Sequence, residues 1–129
     1  MTSFVRFVDR GVVLNVEVAH SLVRKARGLA FRSSLGDTGM LFPMKKTRAQ
    51  IWMWGMRMSL DIVWIAEGKV VHIDAQVAPP RRWTLHLIMP LFLKRYSAGQ
   101  AVDFVLETRA GFCASHAIVA GDAVVCEAL

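Results

Sequence analysis

The chain lacks most of the features that would narrow its function at once. It has only two cysteines in 129 residues, Cys113 and Cys126. Two cannot build a disulfide framework, and their spacing matches no zinc site. They read as buried free thiols, which behave as small apolar groups, with a single bridge as the other reading. There is no Walker loop, no dinucleotide glycine pattern, no G-x-S-x-G elbow and no H-E-x-x-H pair, so no catalytic motif and no cofactor is expected. Residues 1–6 carry no basic stretch followed by an apolar run and a small-residue cleavage site, which gives the expectation of a cytoplasmic protein. The longest apolar-dominated run, residues 83–93, is broken by His86 and Pro90. It has about half the length of a membrane-spanning helix, so no span is expected.

Acidic residues are also in short supply, 10 against 16 basic ones, for a net charge of +6. Eleven of the basic residues are Arg and five are Lys. Arg suits carboxylate and phosphate forks better than Lys does, and a basic balance attracts polyanions without naming one. No long segment is both polar and charge-rich, so a disordered chain is not expected. Hydrophobic residues make up 54% of the sequence, and the length suits a single domain, 1–129.

What is present is mostly short alternation. Residues 4–8 read as a strand, and Leu14, Val16 and Val18 alternate with Asn15 and Glu17 as a half-buried one. Residues 40–42 form an apolar strand that Pro43 should stop, and residues 51–54 an aromatic-rich one. Residues 61–65 and 70–73 flank Glu67-Gly68, the pattern of a tight hairpin. Val102, Phe104 and Leu106 alternate with Asp103 and Glu107, and residues 124–126 close the chain. Two short helices are expected, over 22–27, where Ser21 can cap the first turn, and over 109–116. The expected fold is therefore mainly β, a compact β-sandwich or barrel of about eight short strands with two short helices.

Several ordered motifs resemble those of the bacterial and archaeal family called domain of unknown function 192. Residues 26–32, Ala-Arg-Gly-Leu-Ala-Phe-Arg, resemble its ARGLMFR signature, and residues 39–42 match its GMLF. Residues 60–65 are similar to its PLD-plus-strand segment, Ala78-Pro79 to its alanine–proline loop, and residues 104–107 with Ala110-Gly111 to its YVLE…AG ending. Ile118, Gly121, Asp122 and Val124 complete the pattern, so the resemblance covers roughly 13–125. It implies a fold and no activity, and many relatives of this kind are exported. The chain departs from the pattern where the family reads approximately FWMKNT. Here residues 51–56 are Ile-Trp-Met-Trp-Gly-Met, with Trp54, Gly55 and Met56 in place of the polar residues. Ser59 stands where the family has proline, and residues 81–94 match nothing in it.

Candidate chemistry is sparse. Asp61, at the entrance of an apolar strand, suits an amide-anchoring or Arg-paired carboxylate, or a general base. His20, His72, His86 and His116 are scattered. His72 and Asp74 would share a strand face, but no metal is assigned. Trp52, Met53 and Trp54 concentrate soft apolar groups of the kind found at binding surfaces. Arg24, Lys25, Arg27 and Arg32 form one basic cluster, and Lys45, Lys46 and Arg48 another. The run 83–93, bracketed by basic pairs, suits core packing, a homodimer or partner contact, or an interfacial membrane contact. The expected function is a non-enzymatic module binding a small molecule or a protein through Trp52, Met53, Trp54 and Asp61, with Arg27 and Arg32 at the rim. A hydrolase on an anionic or sugar-like substrate is the alternative, and non-specific nucleic-acid binding is the weakest of the three.

Overall fold

The fold follows from a sequence rich in short β-forming runs that must bury two faces at once. The computed structural model describes residues 3–19, 37–52, 58–79 and 95–127. The strands are β1 (Ser3–Phe7), β2 (Val12–Val18), β3 (Gly39–Thr47), β4 (Gln50–Trp52), β5 (Leu60–Ala66), β6 (Lys69–Val77), β7 (Arg95–Ser97), β8 (Val102–Arg109) and β9 (Val124–Glu127). One described α-helix, α1, spans Phe112–Ser115, and a 3-10 turn spans Val8–Arg10. The helix expected over 22–27 lies outside the described residues.

Seven strands form one sheet in the order β6-β5-β8-β3-β2-β1-β9, and β4 pairs with β7 separately. Every pair is antiparallel except β2–β3. A parallel pair needs a crossover rather than a hairpin, and here it occupies the chain between Val18 and Gly39. The sheet curls until its two ends meet. Lys69 bridges Ala123, Val70 N–H donates to the Asp122 carbonyl at 2.9 Å, and Gly121 N–H donates to the Val70 carbonyl at 2.7 Å. Arg10 locks the seam with a two-pronged contact to Asp122 at 2.9 and 3.1 Å. That fork, together with the Val119 amide, holds the Asp122 carboxyl below its ordinary range. Of the sandwich and the barrel left open by the sequence, the curled, barrel-like sheet is the one that forms.

The curl gives the sheet an inner and an outer face. Val5, Phe7, Leu14, Val16, Leu41, Val63, Leu106 and Val124 fill the inside, with Phe112 and Cys113 of α1 packed among them. Met40, Phe42, Leu60, Ile62, Trp64 and Val105 form a second layer outside, against which Ile51 of β4 and Tyr96 of β7 pack. All seven residues of β5 are buried, as expected of a strand covered on both faces.

Local chemistry decides the irregular points. Glu67 and Gly68 both take positive φ, 52° and 72°, the conformation a two-residue hairpin turn requires. Pro43 does not stop β3, which runs on to Thr47. Among the described residues β2 pairs with β3 only from Gly39 to Leu41, so the β2 ladder asks no N–H of Pro43. Beyond it, four residue steps of β3 face two of β8, between Pro43↔Phe104 and Thr47↔Val102. Lys45 and Lys46 absorb the excess at φ 50° and 57°. Cys113 and Cys126 are both free thiols.

Gly39 is required for closeness rather than flexibility. A Cβ there would stand 2.9 Å from a methyl of Leu14 and 3.1 Å from the Glu107 carbonyl. Gly39→Ala is expected to cost about 1–3 kcal/mol by overpacking, read as a lower urea midpoint at unchanged m-value.

Candidate functional site

Two polar constellations interrupt the apolar layers. The first is built on Asp61, the second residue of β5, opposite Thr108 of β8. Its side chain is almost fully buried, at 1% exposure. Oδ1 accepts the Gln76 amide at 2.8 Å and the Gly111 amide at 3.2 Å, and Oδ2 accepts the Cys113 amide at 2.9 Å. Gln76 sits at φ 49°, a conformation that costs an ordinary residue about 1–2 kcal/mol and that its bond to Asp61 offsets. Asp61 thus ties the end of β6 and the start of α1 to β5. Burial, then the charge and hydrogen bonding of Asp61, push the Cys113 thiol up to about 12. A cleft of about 190 Å³ opens nearby between Leu14, Thr108, Arg109, Phe112 and His116, and Asp61 is not part of its wall.

The second constellation lies on the outer face. In β8, Leu106 belongs to the inner layer and Val105 to the outer one, so alternation places Glu107 outside. It stands opposite Met40 on one side and Ile62 on the other. Glu107 is buried at 5% exposure, and its Oε2 is buried without a hydrogen-bond partner. Burial raises the carboxyl to about 7 from its ordinary 4.5. One strand beyond Ile62, Asp74 of β6 continues the same row. Its Oδ2 accepts the Trp64 indole N–H at 2.9 Å, and its Oδ1 contacts His72 Nε2 at 3.1 Å. The side chains of His72 and Asp74 are 44% and 21% exposed, so this end of the row reaches solvent. The H-x-D pair therefore seats a buried tryptophan, and among the described residues no group of three ligating side chains could hold a metal.

The other sequence candidates fall as follows. Trp52 is the last residue of β4, opposite Arg95. Met53, Trp54, Arg27, Arg32 and the 83–93 run lie outside the described residues, as do Arg24 and Lys25. The chain enters the Trp52–Trp54 run from Ile51 and leaves it at Met58, and both of those residues pack on the outer layer. Lys45, Lys46 and Arg48 are exposed. Sequence reasoning missed Glu107, taking it for the solvent side of an alternating strand. The available signal was Val105, an apolar residue between Asp103 and Glu107 on what should have been a wet face.

A curled mainly-β sheet with buried carboxyls on both faces defines the class. The chain belongs to the domain of unknown function 192 family, described as "Uncharacterized ACR", whose model matches residues 5–126. Two solved structures share the fold. A protein of unknown function from Novosphingobium aromaticivorans DSM 12444 is 27% identical with a TM-score of 0.79, over 97% of this chain and 84% of that one. A proposed transcription regulator from Sinorhizobium meliloti 1021 is 24% identical with a TM-score of 0.81, over 98% and 94%. At that identity the second likeness speaks for the fold alone. No curated protein matches. Among the described residues no helix is long and apolar enough to cross a membrane.

Two outcomes follow from these carboxyls. Asp61→Ala leaves one buried and two part-buried amides unmet and is expected to cost roughly 3–5 kcal/mol in urea unfolding. Asp61→Asn, which keeps one acceptor oxygen, should cost less. For Glu107, the folded chain holds a proton between pH 4.5 and about 7 that the unfolded chain has released. Stability is then full below pH 4.5, falls as pH rises through that window by roughly 3 kcal/mol, and levels off above it. Glu107→Gln should flatten this slope, measured by denaturant midpoints from pH 4 to 8.

Proposed function

We propose that the protein is a non-enzymatic ligand-binding module whose ligand seats on the outer face of β3, β8, β5 and β6, beside β4. The observation that carries this reading is the unpartnered Oε2 of Glu107. Leaving a buried acceptor unmet costs about 1–3 kcal/mol, more for a charged group, and such groups in native proteins call for a partner. A bound ligand supplies one.

The sequence around the site supports the same reading. Ile51 and Met58 bracket the Trp52–Trp54 run on this layer, so Trp52, Met53 and Trp54 are proposed as the apolar wall, with Arg27 and Arg32 as the rim. The resembling family motif carries a lysine where this chain has Trp54, yet the chain keeps Glu107. The hydrolase alternative gains nothing from Asp61, whose oxygens are engaged by backbone amides.

The test is amide chemical-shift mapping with a panel of small neutral, cationic and anionic fragments. Binding is expected to perturb residues 40–44, 60–64 and 102–107 together. Perturbations confined to other surfaces, or none with any fragment, would overturn the reading.

A further inference from the structure

We infer that the cleft beside α1 is a second binding site, and that it takes a small monocarboxylate whose oxygens meet Arg109 and His116. The site is separate from the outer-face reading above, and each stands or falls on its own.

The sheet itself makes the cleft. β3 lies between β8 and β2, but among the described residues it pairs with β2 only from Gly39 and with β8 only from Met40. Ahead of Gly39, Asp37 and Thr38 stand outside the strand. The start of β2, at Val12 to Leu14, and the end of β8, at Thr108 and Arg109, therefore flank a gap of about 190 Å³ that Phe112 and His116 also line. Sites for drug-sized ligands run to roughly 300–1,000 Å³, so the occupant here is small.

The polar wall is built on a fixed platform. Phe112 is 5% exposed and is backed by Phe7, with ring centroids 6.1 Å apart. On either side of it in the chain, the Gly111 and Cys113 amides are tied to Asp61 at 3.2 and 2.9 Å. The Arg109 guanidinium carbon lies over the Phe112 ring, 5.6 Å from its centroid, and the His116 ring meets the same ring at 4.7 Å. A guanidinium stacked on an aromatic ring keeps its N–H groups around its rim, where they fit the planar fork of a carboxylate. The imidazole can add a further donor.

Neither base is engaged by an acid of the chain. All ten acidic residues lie among the described residues. Among these none forms an ion pair with Arg109 or His116, although Asp37 lines the same cleft. The charges then narrow the ligand. A cation would meet the Arg109 guanidinium, and a phosphate dianion would bring a second negative charge close to Asp37. A monocarboxylate takes the fork with one charge, and a short alkyl body covers the apolar wall at Val12 and Leu14.

The experiment follows the backbone amides of the full chain by NMR at pH 7 and fixed ionic strength, with n-butyrate, butyramide and methyl phosphate as probes. Butyrate is expected to bind with a dissociation constant on the order of millimolar and to shift residues 12–14, 37–38 and 108–116. Those amides are distinct from residues 40–44, 60–64 and 102–107, which report on the outer face. Arg109→Gln, at an exposed position, should weaken butyrate about tenfold. Asp37→Asn should tighten it about twofold, a gain that a purely structural role would not produce. If butyramide binds as tightly as butyrate, the charge plays no part and the proposal falls. Tighter binding of methyl phosphate than of butyrate would overturn the carboxylate class. Wild-type affinity in Arg109→Gln, with a folded amide spectrum, would remove Arg109 from the site and overturn the assignment. No shift at the cleft residues with any probe overturns the site itself, while the outer-face reading is decided by its own amides.

Discussion

One carboxylate ties the middle of this fold to the end of β6 and the start of α1. Asp61 accepts amides from Gln76 at a strand end and from Gly111 and Cys113 at the turn and helix that follow β8, two stretches far apart in sequence. The Cys113 N–H would otherwise be a buried donor without an acceptor, which chains avoid almost without exception, and the other two are partly buried. Because the amides are satisfied from inside, α1 can be very short and still place Phe112 and Cys113 in the inner layer. Phe112 in turn meets Phe7, with ring centroids 6.1 Å apart, so the contact extends to β1 at the far side of the sheet order.

The inner and outer faces divide the work. Inside, the seam between β6 and β9 and the Arg10–Asp122 fork close the curl around an apolar layer that Asp61 interrupts with its bonds made to backbone amides. Outside, the layer is interrupted by Glu107, Asp74 and the Trp64 indole. Such groups are costly in an apolar environment unless they are bonded. Asp74 and Trp64 answer each other, and Glu107 is left with an oxygen unmet. The stabilising face and the polar face share the same strands, so the outer face can carry an energetic deficit that the inner one offsets.

Much of this was legible in the sequence, and the boundary of legibility is physical. The Glu67-Gly68 hairpin was readable because turn chemistry is local and both residues must take positive φ. The mainly-β class was readable from alternation. Pro43 misled, because whether proline ends a strand depends on whether that edge has a neighbour, and the length of the β2 pairing is a tertiary fact. The same holds for β7, three residues that become a strand only by pairing with β4. Asp61 stood out as a lone acid before an apolar run, yet its three amides come from residues 15 to 52 positions away. Glu107 was hidden for the reverse reason. Alternation assigns a face to a residue, but not whether that face is wet, and a second layer over β8 turned a surface glutamate into a buried one.

That distinction bears on how far anything learned about one member of the family carries to another. The residues that make the fold are spread over the inner layer and the seam, where Gly121 and Asp122 of the family pattern sit. The departures of this chain, at Trp54, Gly55 and Met56, fall in a run whose flanks, Ile51 and Met58, lie on the outer layer. Among the described residues, the Asp61 knot and the closure of the sheet draw their hydrogen bonds from Gln76, Gly111, Cys113, Arg10, Val70 and Gly121, none of which flanks that run. Shared fold and divergent recognition are then compatible by construction.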